Sequence, residues 1–482
     1  MQEGVGGQRL IVLDSDQVNR TMGVSDDLGR RGGRVFHRYG SRVLIADVPA
    51  SVSRGLTGTP GVVSHHTGPL AGRPQGLSTT ETLGISAWNL RSSREFGSAK
   101  TRRPHDGLRW DAAGIAGGIQ PPDGPGMEHV TEAGPTGPRG IFGDDTSLFL
   151  IGSVGVGLVI VEGPTPELQF TEDERTKVVA ECQEGLGWLA SREPRAGVSF
   201  AWDIQVVRVN AAPDPSLSGY EPLEARWRDP AMAALGYMPN FFGVMSYAGA
   251  LRRKLGTRWA YVGLFTKYPL AHFAYALRPR LVMQYDNDGW GPDNIDRVFT
   301  HETGHIFGCP DEYASSNCTC DPKFGYLREP NGNCQRCVPQ FEDCLMGANS
   351  WAMCAHTPVQ LGWRDTDADG VLDPDDPVGN PPQFLDLGRL CASFPILCQL
   401  FGLAPPPPTT GAAAARGIAV AAARRHDSVP FTVLRRLLPD ADIARIEQAM
   451  AAEETEYLAV LERKLRAAAD ELTRPSGPER RQ

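Results

Sequence analysis

Two histidines four residues apart, His301 and His305, leave the chain little freedom around residue 300. They stand in the run HETGHIFGCPDEY at 301–313, and a helix there sends both imidazoles from one face towards a single ion at about 2.0–2.1 Å. The predicted helix spans Pro292 to Phe307, because proline suits a first turn and Gly308 a left-handed exit. Beyond that glycine the chain can double back, so that Asp311 brings a carboxylate to the same point. Three such ligands leave a fourth position open to water, which separates a catalytic zinc from a structural one. Glu302 lies beside the ligands, placed to take a proton from water and return it to a leaving amine.

The pattern HExxHxxGxxD, carried by His301, Glu302, His305, Gly308 and Asp311, resembles the extended motif of the metzincin zinc peptidases. Aspartate in the last place is the variant of the snapalysin type. The family has a Met-turn downstream, and Cys344-Leu345-Met346-Gly347 is similar to it, with Met346 as its methionine. The resemblance covers roughly 147–363. It implies an α/β (α+β) catalytic domain with a twisted sheet and an active-site helix, acting as an endopeptidase on protein or peptide substrates. It further implies that an extended substrate pairs with an edge strand, for which Phe273 to Tyr285 is the candidate. Glu312 is a neighbouring carboxylate that competes with Asp311, and packing is the expected role of Tyr313. Two other function classes are weaker. An inactive, calcium-stabilised adhesion or scaffold protein is disfavoured by the intact Glu302, and a non-peptidase zinc hydrolase by the Met-turn.

At 482 residues the chain is too long for one core, so several units are expected. Residues 1–67 read as a small ferredoxin-like α/β domain with strands Arg9 to Asp14, Arg34 to Tyr39, Arg42 to Val48 and Val62 to His66. The segment 32–64 resembles the end of a subtilisin-type propeptide, which implies a detachable inhibitory or chaperoning unit. Residues 68–145, rich in Gly, Pro, Ser and Arg, read as a disordered linker with Arg102-Arg103 as a candidate processing site. The catalytic domain is expected over 146–364. Its elements are apolar strands up to Val161, a helix Thr171 to Ala190 opened by a Thr171…Glu174 capping box, a strand Val198 to Val209, helices from Pro230 to Leu255 and a strand Trp259 to Thr266. A calcium loop occupies 365–376. A Cys391–Cys398 loop and polyproline linker fill 377–410, and 411–482 is a helical tail.

In the stretch DTDADGVLDPDD, Asp365, Asp367, Asp369, Asp373 and Asp376 make an oxygen-rich loop with calcium chemistry, similar to the loops of thrombospondin type 3 repeats. Seven of the ten cysteines fall between Cys309 and Cys354. Cys318, Cys320, Cys334 and Cys337 have spacing compatible with two disulfides or with a second zinc site; disulfides are the favoured reading, with Cys344 to Cys354 as a further pair tying down the Met-turn. Disulfides point to a secreted or cell-surface protein, although the N-terminus shows no charged segment followed by an apolar one. The net charge of -9 gives no electrostatic reason for nucleic acid, and the most apolar run, Leu148 to Val161, is too short and glycine-rich for a membrane span. Neither oligomeric state nor substrate-binding residues are legible.

Overall fold

A computed structural model of the chain describes residues 7–14, 18–72, 74–112, 115 and 146–376. They form one compact unit up to Pro374, and Asp375 and Asp376 belong to a second unit. The predicted Cys391–Cys398 loop, proline-rich linker and helical tail lie outside the described residues. The architecture is mixed α/β.

Four strands come from the N-terminal segment: β1 (Gly7–Leu13), β2 (Arg34–Tyr39), β3 (Val43–Val48) and β4 (Val62–His66), with helix α1 (Val18–Arg30) between the first two and the one-turn helix α2 (Ala50–Ser53) between the last two. Five more follow residue 150: β5 (Ser153–Glu162), β6 (Ser199–Arg208), β7 (Trp259–Thr266), β8 (Ala274–Leu277) and β9 (Arg280–Gln284). All nine join one sheet in the order β4-β1-β3-β2-β6-β5-β7-β9-β8. The N-terminal strands pair antiparallel, whereas β6, β5, β7 and β9 run parallel and only β8 turns back on β9. Parallel strands covered on both faces need near-continuous apolar sequence, and every residue of β7, WAYVGLFT, is buried.

The two halves meet at a parallel pairing of β2 with β6, His37 opposite Phe200 and Tyr39 opposite Trp202. Tyr39 is fully buried and stacks on Trp202 with ring centroids 5.5 Å apart. The described part of residues 1–67 therefore does not stand apart as a small domain. Its sheet continues into the one that carries the site, through β2, whose residues Phe36 to Tyr39 are buried.

The linker expected over 68–145 is also replaced, as far as residue 112, by ordered chain. Helix α3 (Thr79–Arg91) opens with a capping box between Ser78 and Glu81, and α4 (Arg94–Thr101) is capped by Ser93. Trp88 and Phe96 are buried, so these helices carry core residues. Arg103 is buried with its guanidinium on both carboxylate oxygens of Asp296, at 2.5 and 2.6 Å. Half of the candidate processing site is thus locked inside the fold. Removing one partner of a buried pair costs about 3–5 kcal/mol. Arg103→Ala should accordingly lower the urea midpoint clearly, and an unchanged midpoint would contradict the pairing.

Helices α5 (Glu172–Arg192), α6 (Tyr220–Ala234), α7 (Phe241–Leu255) and α8 (Ile295–Ile306) cover the sheet. The α5 capping box between Thr171 and Glu174 forms as read from sequence. Side chains alternate across a strand, and β7 shows it. Val262 and Leu264 belong to the core under α6 and α7, while Phe265 on the other face stacks on Phe299 of α8 at 5.8 Å. The single edge strand expected over Phe273 to Tyr285 is a hairpin instead, and its first arm, β8, is the edge. Among the described residues no helix is long and apolar enough to cross a membrane.

Candidate metal centre

Helix α8 carries His301 and Glu302 on its buried side and ends after Ile306. Gly308 has φ +98°, and a Cβ there would lie 2.9 Å from the Cα of Gly325, so both the backbone conformation and the close approach require glycine. The chain turns back at this point, as the sequence predicts, and carries Asp311 to the histidines.

His301 Nε2 and His305 Nε2 are 3.0 Å apart, and Asp311 Oδ1 lies 3.1 Å from the first and 3.2 Å from the second. The other imidazole nitrogens are committed. His301 Nδ1 donates to the Leu345 carbonyl at 3.0 Å, and His305 Nδ1 to the Cys309 carbonyl at 2.8 Å. With those tautomers fixed, both Nε2 lone pairs and a carboxylate oxygen face one point, an arrangement that calls for a positive charge at its centre. Burial opposes charge on His305, but Asp311 and Glu302 outweigh it and push its pKa up to about 9. Burial alone would raise Asp311, yet the two imidazoles hold it well below the usual carboxylate range. Asn331 Nδ2 donates to the Asp311 carbonyl at 2.8 Å. Burial, with Asp311 and Glu302 nearby, pushes the Tyr313 phenol pKa up, so Tyr313 stands beside the centre as well as packing.

Glu302 is 5% exposed, and its Oε2 is buried without a hydrogen-bond partner. Burial pushes its carboxyl pKa up, against the pull of the imidazoles. The neighbouring Glu312 does not compete for the centre. Its carboxylate is occupied by Asn333 Nδ2 at 2.8 Å and Cys354 Sγ at 3.0 Å.

Met346 is 1% exposed in a tight turn, where the Cys344 carbonyl accepts from the N–H of Gly347 at 2.9 Å and of Ala348 at 2.8 Å. A Cβ on Gly304 would lie 2.7 Å from Met346 Sδ, which places the thioether against α8 between the two histidines in sequence. The turn also supplies the Leu345 carbonyl to His301. That carbonyl has a second donor, Trp110 Nε1 at 2.7 Å, and the Trp110 ring stands edge-on to His301 at 5.4 Å. Residues 107–110 are bound to 347–349 through Gly107 N–H to Asn349, Asn349 N–H to Leu108 and Trp110 N–H to Gly347. Trp110 was hidden from sequence reading by the linker assignment. A tryptophan is itself a poor fit to linker composition, which is depleted in aromatics, and that was the available signal.

The calcium candidates divide. One oxygen each of Asp365, Asp367 and Asp369 lie within 4.8 Å of one another. The loop is braced from within, Gly370 N–H to Asp365 at 3.0 Å and Val371 N–H to Asp369 at 2.7 Å. Asp365 also pairs with Arg195 at 2.7 Å, leaving its Oδ1 buried without a hydrogen-bond partner. Asp373 does not join them. It binds Arg364 Nε at 2.6 Å and the Thr366 N–H at 2.8 Å, closing the turn. Asp376 falls in the second unit, outside the compact one.

Cys318–Cys334 and Cys320–Cys337 are disulfides, compatible with an extracellular protein. The further pair expected between Cys344 and Cys354 is not bonded; both are buried free thiols.

No protein-family model matches the chain, and no curated protein does. Among solved structures, the zinc-dependent peptidase from Methanocorpusculum labreanum matches with 16% sequence identity and a TM-score of 0.21, over 42% of this chain and 99% of that one. So slight a likeness carries no inference about this chain.

Proposed function

We propose that the chain is a zinc-dependent endopeptidase of the metzincin kind, with the ion held by His301, His305 and Asp311 and Glu302 as the general base. One observation carries the reading: three ligand atoms converge with separations of 3.0–3.2 Å, with the histidine Nδ1 protons directed elsewhere. Ligands of a tetrahedral zinc with bonds of about 2.0–2.1 Å sit about 3.3 Å apart, so the donor set fits with little adjustment. Calcium prefers more oxygen ligands at longer range, and two imidazoles disfavour it.

Zinc bound here would act as a Lewis acid towards a carbonyl oxygen and acidify water. The protein's own part is positional. Leu345 and Cys309 carbonyls fix both imidazoles, Asn331 holds the Asp311 backbone, and Met346 gives the helix an apolar floor. Glu302, with an unengaged buried oxygen, takes the proton from the attacking water and passes it to the leaving amine. Strand β8, at the sheet edge and in contact with α8, offers unpaired backbone groups to an extended peptide. Digestion of a peptide library by the zinc-loaded chain tests the reading. Internal cleavage abolished by a chelator and restored by zinc is expected, and an inert, zinc-loaded, folded chain would refute it.

The loop of Asp365, Asp367 and Asp369 is proposed to take calcium, supported by the clustered oxygens and the unengaged Asp365 Oδ1. Removing calcium should lower the melting temperature even with zinc present. No shift on calcium removal would count against the site. Two disulfides favour export to an oxidising compartment.

A further inference from the structure

Four of the carboxylates buried in this protein are matched by cations. Glu162 meets Arg175 and Arg208, Glu181 meets Lys100 and Lys177, Glu224 meets Arg228 and Arg280, and Asp296 meets Arg103. This follows from the cost of burying an unpaired charge. Glu312 differs from these four. It is 0% exposed, and the groups around its carboxylate are an amide, a thiol and a hydroxyl: Asn333 Nδ2 at 2.8 Å, Cys354 Sγ at 3.0 Å and Thr357 Oγ1 at 3.4 Å.

Those contacts close into a cage. Thr357 Oγ1 is 3.2 Å from Cys344 Sγ and 3.4 Å from Cys354 Sγ, as well as 3.4 Å from Glu312 Oε1. One ligand atom each from Glu312, Cys344 and Cys354 lie within 4.8 Å of one another, and all three residues are buried. Four donors around a tetrahedral zinc, with bonds of about 2.3 Å to sulfur and 2.0–2.2 Å to oxygen, stand about 3.3–3.8 Å apart. The separations of 3.0–3.4 Å from Thr357 to the other three and from Cys354 to Glu312 are slightly tighter than that.

We propose that Glu312, Cys344 and Cys354 bind a second zinc ion, with Thr357 closing its fourth side. On binding, the two thiols release their protons to solvent, so that two thiolates and a carboxylate face the dication. With no side left open the site is structural. Its place explains what it does. The Glu312 N–H donates to the Met346 carbonyl at 3.1 Å, and Cys344 begins the turn that carries Met346. Glu312 follows Asp311 directly, so an ion here clamps the loop bearing the third ligand to the turn beneath the helix.

The proposal does not depend on peptidase activity, and its test separates the two. The full chain is kept under non-reducing conditions, so that Cys318–Cys334 and Cys320–Cys337 stay closed. It should retain about two zinc ions after dialysis, falling to about one in His301→Ala/His305→Ala and to about one in Cys344→Ser/Cys354→Ser. Should the serine variant fail to fold, cobalt(II) added to the His301→Ala/His305→Ala protein gives the same answer. A thiolate-to-cobalt absorption band in the near ultraviolet is expected, which imidazole and carboxylate ligands do not produce. Absence of that band, or a Cys344–Cys354 disulfide in the peptide map of the native protein, overturns the second site. Loss of no zinc in the histidine variant would instead overturn the peptidase centre and leave this site standing.

Discussion

Glu302→Gln should keep the fold and the zinc content while kcat/KM for a cleavable peptide falls by about 10²–10⁴-fold, the usual contribution of a general base. The expectation rests on the separation of duties within α8. His301 and His305 point their Nε2 atoms at Asp311, whereas Glu302 takes no part in that triangle and holds an oxygen with no hydrogen-bond partner. Glutamine keeps the size and the acceptor oxygen but cannot take up a proton. Zinc content by mass spectrometry and the circular dichroism spectrum serve as controls. Activity retained in a folded, zinc-loaded Glu302→Gln protein would remove Glu302 from the reaction.

A chain that begins at residue 113 is expected not to fold. Strand β6 would lose β2, its parallel neighbour, and Trp202 would lose the Tyr39 ring stacked upon it. Asp296, 0% exposed, would lose Arg103 and Lys100 together. Uncovering one such buried charge costs about 3–5 kcal/mol, against a total stability of about 5–15 kcal/mol for a typical domain, before any loss of apolar burial is counted. The Leu345 carbonyl that orients His301 would also lose Trp110. Soluble expression and a cooperative melt are the readouts; a truncated chain that is soluble and melts cooperatively would contradict this account. The detachable propeptide implied by the resemblance of 32–64 does not suit strands that share the sheet of the candidate centre.

Where local chemistry dictated structure, the sequence was readable. The end of α8, the Gly308 exit and the Thr171 capping box each rest on a few neighbouring residues, and each stands in the structure, whereas the helix read from Pro292 begins at Ile295 after a 3-10 turn over Pro292–Asn294. Met346 was an expectation of the family resemblance, and Asp311 of the chain's return past Gly308 together with that resemblance; Asp311 Oδ1 lies 3.1 and 3.2 Å from the two histidine Nε2 atoms, and the Met346 thioether lies against Gly304. Legibility ended where partners are distant in the chain. Helix α3 is flanked by Gly, Pro and Ser and buries residues around most of its circumference, Thr80, Leu83, Ile85 and Trp88 among them, so no polar face marked it as amphipathic. The role of Trp110 depends on a carbonyl 235 residues away. Asp373 looked like one more calcium ligand by composition, but Arg364 and Thr366 take its oxygens. The β8–β9 hairpin was merged into one strand because both arms are apolar and only a short turn divides them.

Anomalous X-ray scattering at the zinc absorption edge, from crystals of the zinc-loaded chain, would locate the ion. Binding by the three proposed ligands requires a peak within bonding distance, about 2.0–2.2 Å, of His301 Nε2, His305 Nε2 and an Asp311 oxygen. A zinc-loaded crystal with no peak there, or with a peak at the two histidines that Asp311 does not reach, would contradict it.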